Sequence, residues 1–271
     1  MSLIETHDLE SNLSKFKIID CSWHMPQENR NGLDEYNKLH IPNSIFFDLD
    51  NNSSKKTDLP HMLVSLDEWQ KIVSEMGIDN DDLIVIYDNS DVISSCRCWY
   101  NFIYFGHNPD AIKILNGGFK KWVSENRSIS NKMTKIEKTK YKASEKNNLV
   151  KNKKEIDENI IEKKFNIIDA RSYKRFKGEE KEPRKGLRSG SIDNSICIPY
   201  NLLINVDKTF KTKEEIKEIF NYNLKDITSN NVVFSCGSGV TACILALAYS
   251  LINDKYLPII YDGSWAEYGK N

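Results

Sequence analysis

One cysteine stands in a segment built for chemistry, Cys236-Gly237-Ser238-Gly239-Val240-Thr241. A β-branched and aromatic run precedes it (Val232, Val233, Phe234), and an alanine-rich apolar stretch from Ala242 to Leu251 follows. The first predicts a short buried strand, the second a helix. A loop of small residues at a helix N-terminus turns several backbone N–H groups toward one point, and the helix dipole adds partial positive charge there. Both effects favour thiolate over thiol, and the thiolate is the nucleophile. Most cysteines are only small buried hydrophobes. The strand–loop–helix junction and the two flanking glycines argue here for the reactive reading.

The rest of the chain limits the alternatives. Apolar content of 39% and charged content of 28% are those of a soluble globular protein, and a net charge of -1 gives no electrostatic attraction to nucleic acid or an acidic membrane. The N-terminus lacks the basic and apolar pattern of a secretory signal, and no apolar run is long enough to span a bilayer. With no signal, the 6 cysteines read as reduced thiols in the cytoplasm and not as a disulfide framework. Cys96 and Cys98 lack a partner pair and fall in an apolar helical stretch, so they read as core; no metal site is expected.

The chain is written twice. The segment from Phe16 to Trp23, with Asp20, parallels that from Phe165 to Ser172, with Asp169. His40-Ile-Pro-Asn-Ser parallels Ser191-Ile-Asp-Asn-Ser, the run from Leu83 parallels the run from Asn231, and Asn116-Gly-Gly-Phe parallels Asp262-Gly-Ser-Trp. Four landmarks in one order imply two copies of one domain. Strands alternate with helical patterns, as at Leu66 to Met76 (Ser65 as N-cap, Glu68 completing a capping box) and Glu214 to Phe220. The fold class is therefore α/β, two tandem domains each with a mainly parallel sheet flanked by helices. Boundaries are expected at 1–126 and 153–271, with 127–152, rich in Lys, Ser, Asn and Thr, as a solvated linker. Where the second copy has Ser235-Cys236, the first has Asp88-Asn89 and lacks the loop glycines, so it is expected to be catalytically silent.

A duplicated α/β domain with a silent first copy and Cys-Gly-Ser-Gly-Val-Thr in the second resembles the two-domain rhodanese sulfurtransferases, over nearly the whole chain. It is most similar to the members that use 3-mercaptopyruvate. The stretch from Asp169 to Gly190 is similar to the substrate-binding stretch of that family, and thiosulfate-preferring relatives carry basic residues in the active loop. The charges agree with that split. Thiosulfate is a small dianion served by cations beside the thiolate, and this loop has none; mercaptopyruvate carries its carboxylate further from its sulfur. The resemblance implies that Arg175 and Arg184 hold that carboxylate and the carbonyl, a task suited to the planar guanidinium.

The resemblance also implies that Ser238, His61 and Asp50 form a triad able to relay a proton, and that the loop amides from Gly237 through Gly239, Val240 and Thr241 cradle a persulfide on Cys236. It implies a small-molecule sulfur donor and a thiol or thioredoxin-like acceptor, with no metal or organic cofactor, no nucleic acid and no membrane. The proline that usually follows the His-Met-Leu element is replaced by Val64, which bears on the backbone around His61. Three other readings compete. A thiosulfate sulfurtransferase would use the same persulfide, and a degenerate rhodanese-like domain would only bind a partner. A cysteine phosphatase would need an arginine where this chain has Ala242.

Overall fold

A computed structural model describes residues 2–224 and 226–270. The chain divides into two compact units, the first comprising 1–54, 63–146 and 206–209, the second 55–62, 147–205 and 210–271. Each holds one five-stranded sheet. In the first unit the strands are β1 (Leu3–Ile4), β2 (Lys17–Asp20), β3 (Ser44–Phe46), β4 (Ile84–Tyr87) and β5 (Ile112–Leu115), in the order β1-β5-β4-β2-β3. The second repeats that pattern with β6 (Val150–Lys151), β7 (Asn166–Asp169), β8 (Ile196–Cys197), β9 (Val232–Ser235) and β10 (Ile260–Tyr261), in the order β6-β10-β9-β7-β8. Every described strand pair is parallel.

The central strands explain themselves. A parallel sheet covered on both faces needs continuous apolar runs, and Ile84 to Tyr87 and Val232 to Ser235 are buried at every residue. Burying each such Ile or Val contributes about 1.5–3 kcal/mol. Beneath one face of the second sheet Ile167, Val233, Tyr261 and Trp265 pack with Ile156 from the helix Lys153–Glu162. That helix opens on an Asn152–Glu155 capping box. The boxes at Ser65–Glu68 and Thr212–Glu215 likewise start the helices Leu66–Glu75 and Lys213–Asn223.

Chain order reverses at the middle of each sheet. From β7 the chain leaves to β8 on one side and returns through β9 on the other, so the carboxyl ends of β7 and β9 flank a switch point, where open α/β sheets bind ligands.

The units differ from the boundaries expected of the sequence. The stretch read as a linker is largely a strap on the first unit: Ser130 and His40 exchange backbone hydrogen bonds (2.8 and 2.9 Å), and the amides of Thr139, Ser144 and Lys146 donate to Ser74, Phe105 and Tyr104. Tyr141 within it is buried, its ring stacked on His107. Main-chain pairing, one aromatic anchor and hydroxyls such as those of Thr134 and Thr139, which donate to the Ser44 and Ile78 carbonyls at 2.7 and 2.6 Å, hold it, and a polar composition does not reveal such specific pairing. The segment 55–62, with His61, belongs to the second unit although it lies within the first repeat, and 206–209 belongs to the first.

Asp20 and Asp169 end the equivalent strands β2 and β7 and are both buried. Asp169 is met by a guanidinium: Arg171 Nη2 donates to it at 2.7 Å. At the matching place the first copy has Ser22, whose amide and hydroxyl donate to Asp20 at 2.9 and 2.6 Å. Burial without a cation raises the Asp20 carboxyl from 3.8 to about 7. The folded state therefore keeps a proton that the unfolded chain releases. The stability this confers is complete below about pH 4, declines as pH rises toward 7, and is gone above it. The loss is at most about 4 kcal/mol. Asp20→Asn is expected to flatten this part of the stability profile and to melt above the parent at about pH 8. Thermal unfolding across pH measures it, and an unchanged slope would contradict it.

Candidate active site

The loop after β9 is anchored at its start by the next strand–helix junction. The Cys236 amide donates to Ser264 Oγ (3.2 Å), while the Cys236 and Gly237 carbonyls accept from the amides of Trp265 and Ala266, both at 2.9 Å. Gly239 carries the turn at φ +78, a conformation an L side chain resists. The helix Ala242–Ile252 then begins. Among the described residues, the amides of Gly237, Ser238, Val240 and Thr241 donate no hydrogen bond to the protein. Four unused donors at the N-terminus of a three-turn helix suit an anion. The Cys236 side chain is buried at the loop's root.

None of the six cysteines is in a disulfide and all are buried, so burial alone does not single one out. Burial pushes the Cys197 thiol up to about 12, and the Cys21 thiol is also pushed well above its ordinary range. Both are kept as neutral thiols. Cys96 and Cys98 lie wholly buried in the helix Ser95–Tyr104. Cys243 lies in the first turn of the helix Ala242–Ile252, its thiol donating to the Gly239 carbonyl at 3.2 Å, and among the described residues Cys236 alone stands at the root of a loop with unused amides.

Two arginines approach that loop. A Cβ added to Gly237 would meet Arg175 Nη2 at 3.2 Å and Arg184 Nη1 at 3.6 Å, so both guanidinium groups lie directly against the loop and a side chain there would press on Arg175. Arg184 Nη2 donates to Ser238 Oγ at 3.3 Å. Arg175 rides the short helix Tyr173–Lys177, capped by Ser172, whose hydroxyl accepts its amide. Glu182 grips its guanidinium with both oxygens, at 3.2 Å from Nε and 2.5 Å from Nη2.

Behind this pair lies a network the sequence reading missed. Glu182 also accepts from Arg171 Nη1 at 2.7 Å, and Arg171 is fully buried against Asp169 with its guanidinium 4.4 Å from the Trp265 ring centroid. Arg188 stacks on the same indole at 4.5 Å and accepts its N–H at the backbone carbonyl. The trace available in sequence was Asp169-Ala-Arg171 directly after a strand. Composition alone reads it as a solvated loop.

His61 Nδ1 lies 3.0 Å from Ser238 Oγ, with the imidazole buried. Its backbone is left-handed, φ +61, which costs a non-glycine residue of order 1 kcal/mol. Strain of this kind collects at functional sites. With Arg184 donating to Ser238, the serine hydroxyl is free to donate to an unprotonated His61 Nδ1. Asp50 belongs to the first unit, where its carboxylate accepts the Trp23 indole N–H at 2.9 Å. Of the anticipated residues, Cys236, Gly237, Ser238, Arg175, Arg184 and His61 come together in the second unit. Thr241 stands at the N-cap position of the helix that follows, without a side-chain capping bond, and Val240 is buried.

The first copy shows what such a loop holds without a thiol. Strand register pairs Asp20 with Tyr87 and Asp169 with Ser235, which puts Asp88 in the place of Cys236 and corrects the expectation that Asn89 stands there. The amide of Phe119 donates to the Asp88 carbonyl at 2.9 Å just as Trp265 does to Cys236. The Asp88 carboxylate then accepts the amides of Ser90 and Ser95, each at 2.9 Å. The first copy's loop thus encloses a carboxyl group of its own.

Comparison with known proteins agrees with this architecture. The family model of the rhodanese-like domain matches residues 5–125 and again 152–271. The mitochondrial thiosulfate/3-mercaptopyruvate sulfurtransferase 1 of Arabidopsis thaliana is 37% identical over 288 residues, covering 96% of this chain and 74% of the relative. The 3-mercaptopyruvate sulfurtransferase of Mus musculus is 35% identical over 254 residues, covering 93% and 84%. The crystal structure of SseA from Escherichia coli, a 3-mercaptopyruvate sulfotransferase, superposes with a TM-score of 0.86 at 28% identity over 98% of this chain and 99% of that one. Both halves match one domain family, and relatives above 30% identity span nearly the whole chain; it belongs to the rhodanese family, as a sulfurtransferase of two such domains.

Proposed function

We propose that the chain takes a sulfur atom from 3-mercaptopyruvate onto Cys236 and passes it to a thiol. The carrying observation is the pair Arg175 and Arg184 beside Gly237, above a loop with no charged side chain of its own. Two guanidinium groups set back from the thiol suit a donor whose carboxylate and ketone lie away from its sulfur. The Cys236 thiolate attacks that sulfur, the carbon–sulfur bond breaks, and its electron pair passes to carbon as the enolate of pyruvate. The enolate takes up the proton that the transferred sulfur gives up, which releases pyruvate and leaves the persulfide as an anion. Ser238, hydrogen-bonded to His61, is placed to pass the proton. The outer sulfur of the resulting persulfide lies against the unused amides of Gly237, Ser238, Val240 and Thr241, which lower its energy as an anion. A thiol, a thioredoxin-like protein or cyanide then removes it, restoring the thiolate.

Thiosulfate as a second donor is supported by the Arabidopsis relative, whose name carries both substrates. No helix among the described residues is long and apolar enough to cross a membrane. Six cysteines with no disulfide among them fit a reducing compartment, in our reading the cytoplasm.

Turnover of both donors, followed by intact mass for one added sulfur atom, tests the assignment. Mercaptopyruvate is expected to be the better substrate, and a clear preference for thiosulfate would overturn the donor. Arg184→Lys is expected to raise KM for mercaptopyruvate at least about tenfold, because an ammonium cannot reproduce the two-toothed grip.

A further inference from the structure

We propose that Ser264 is a positioning residue for Cys236, its hydroxyl holding the main-chain amide of the nucleophile so that the thiol stays seated at the root of the loop. The inference deepens the sulfur-transfer reading of Cys236 and rests on it. Ser264 is fully buried and left-handed, φ +48, at a place where the fold favours glycine. The first copy has that glycine: Gly118 stands at the same position with φ +57. A side chain in this conformation is strained, so its presence in one copy alone calls for a task that glycine cannot do.

The hydrogen bonds supply that task. Ser264 Oγ donates its one proton to the Tyr261 carbonyl at 2.8 Å, which turns its lone pairs to the Cys236 amide at 3.2 Å. With the carbonyls of Cys236 and Gly237 held by Trp265 and Ala266, three consecutive residues fix the strand end from which the thiol projects. In the first copy Gly118 offers no hydroxyl, and Asp88 is steadied through its own carboxylate. A thiol cannot brace itself in that way. The competing role for Ser264 is local: its hydroxyl would merely close the turn on Tyr261.

The test compares Ser264→Gly and Ser264→Ala in the full-length protein. Three readouts are taken: the pH profile of Cys236 alkylation by iodoacetamide, assigned by peptide mass, the separate kcat and KM for mercaptopyruvate, and Tm. In both variants the alkylation midpoint is expected to move upward, and kcat to fall about tenfold with KM unchanged, as a thiolate drifts from its donors. Ser264→Gly should melt no lower than Ser264→Ala, because glycine releases the strain. A wild-type alkylation profile and kcat in Ser264→Gly would overturn the proposal, as would failure of both variants to fold. Alkylation needs no sulfur donor, so this outcome is separable from failure of the sulfur-transfer reading, in which the wild-type protein would take up no sulfur from any donor.

Discussion

Cys236→Ser is expected to lower sulfur transfer at least about a thousandfold with either donor, since no other residue supplies the attacking atom. A serine hydroxyl remains protonated near neutrality and cannot store sulfur as a persulfide. The fold should be little affected, because the change removes no anchoring bond: the loop is held through backbone atoms of residues 236 and 237. Intact mass after mixing with donor should show the added sulfur on the parent and none on the variant. This variant also separates an enzyme from a binding module, which would keep its affinity without the thiol. Residual turnover above about a tenth of the parent's would end the case for Cys236 as nucleophile.

Glu182→Gln is expected to cost about 3–5 kcal/mol of stability, the usual penalty when one partner is removed from a buried charge pair. Glu182 is almost wholly enclosed and serves two guanidinium groups at once, Arg171 and Arg175. Glutamine keeps the shape but not the charge, so Asp169 becomes the one carboxylate facing the buried Arg171. Arg175 would also lose the fork that orients it beside the loop, and KM for mercaptopyruvate should rise with the loss of stability. Chemical denaturation and steady-state kinetics on the same preparation test both parts. Asp58→Asn is the control: that carboxylate pairs with Lys270 in solvent and should leave unfolding unchanged. Equal unfolding midpoints for Glu182→Gln and the parent would show that the network does not hold the site.

Much of this fold is written in local pattern. Ile84 to Tyr87 and Val232 to Ser235 read as strands because both sheet faces are covered, and the three capping boxes mark helix starts whatever lies around them. Cys236 stands out for the same local reason. Arg175 and Arg184 do not: in a stretch of lysines and glutamates only resemblance separates them from solvated charges. The His61–Ser238 meeting spans 177 positions, and nothing in the polar residues around His61 signals that they fold with the second repeat. The misplacement of Asn89 has a simple cause. An apolar run reveals a strand but not its register, which here is set by Asp20 pairing with Tyr87. Glu182 and Arg171 stayed hidden because each is legible only as the partner of the other.

The Asp88 carboxylate, tethered inside the first loop, bears on stoichiometry. A tethered ligand has no dissociation constant to overcome and is present at every moment, so a diffusing anion cannot displace it from the amides of Ser90 and Ser95. If sulfur is carried as proposed on Cys236, the duplication doubles the scaffold without doubling the capacity: one sulfur per polypeptide, with the matching loop of the other half filled by its own Asp88 carboxylate.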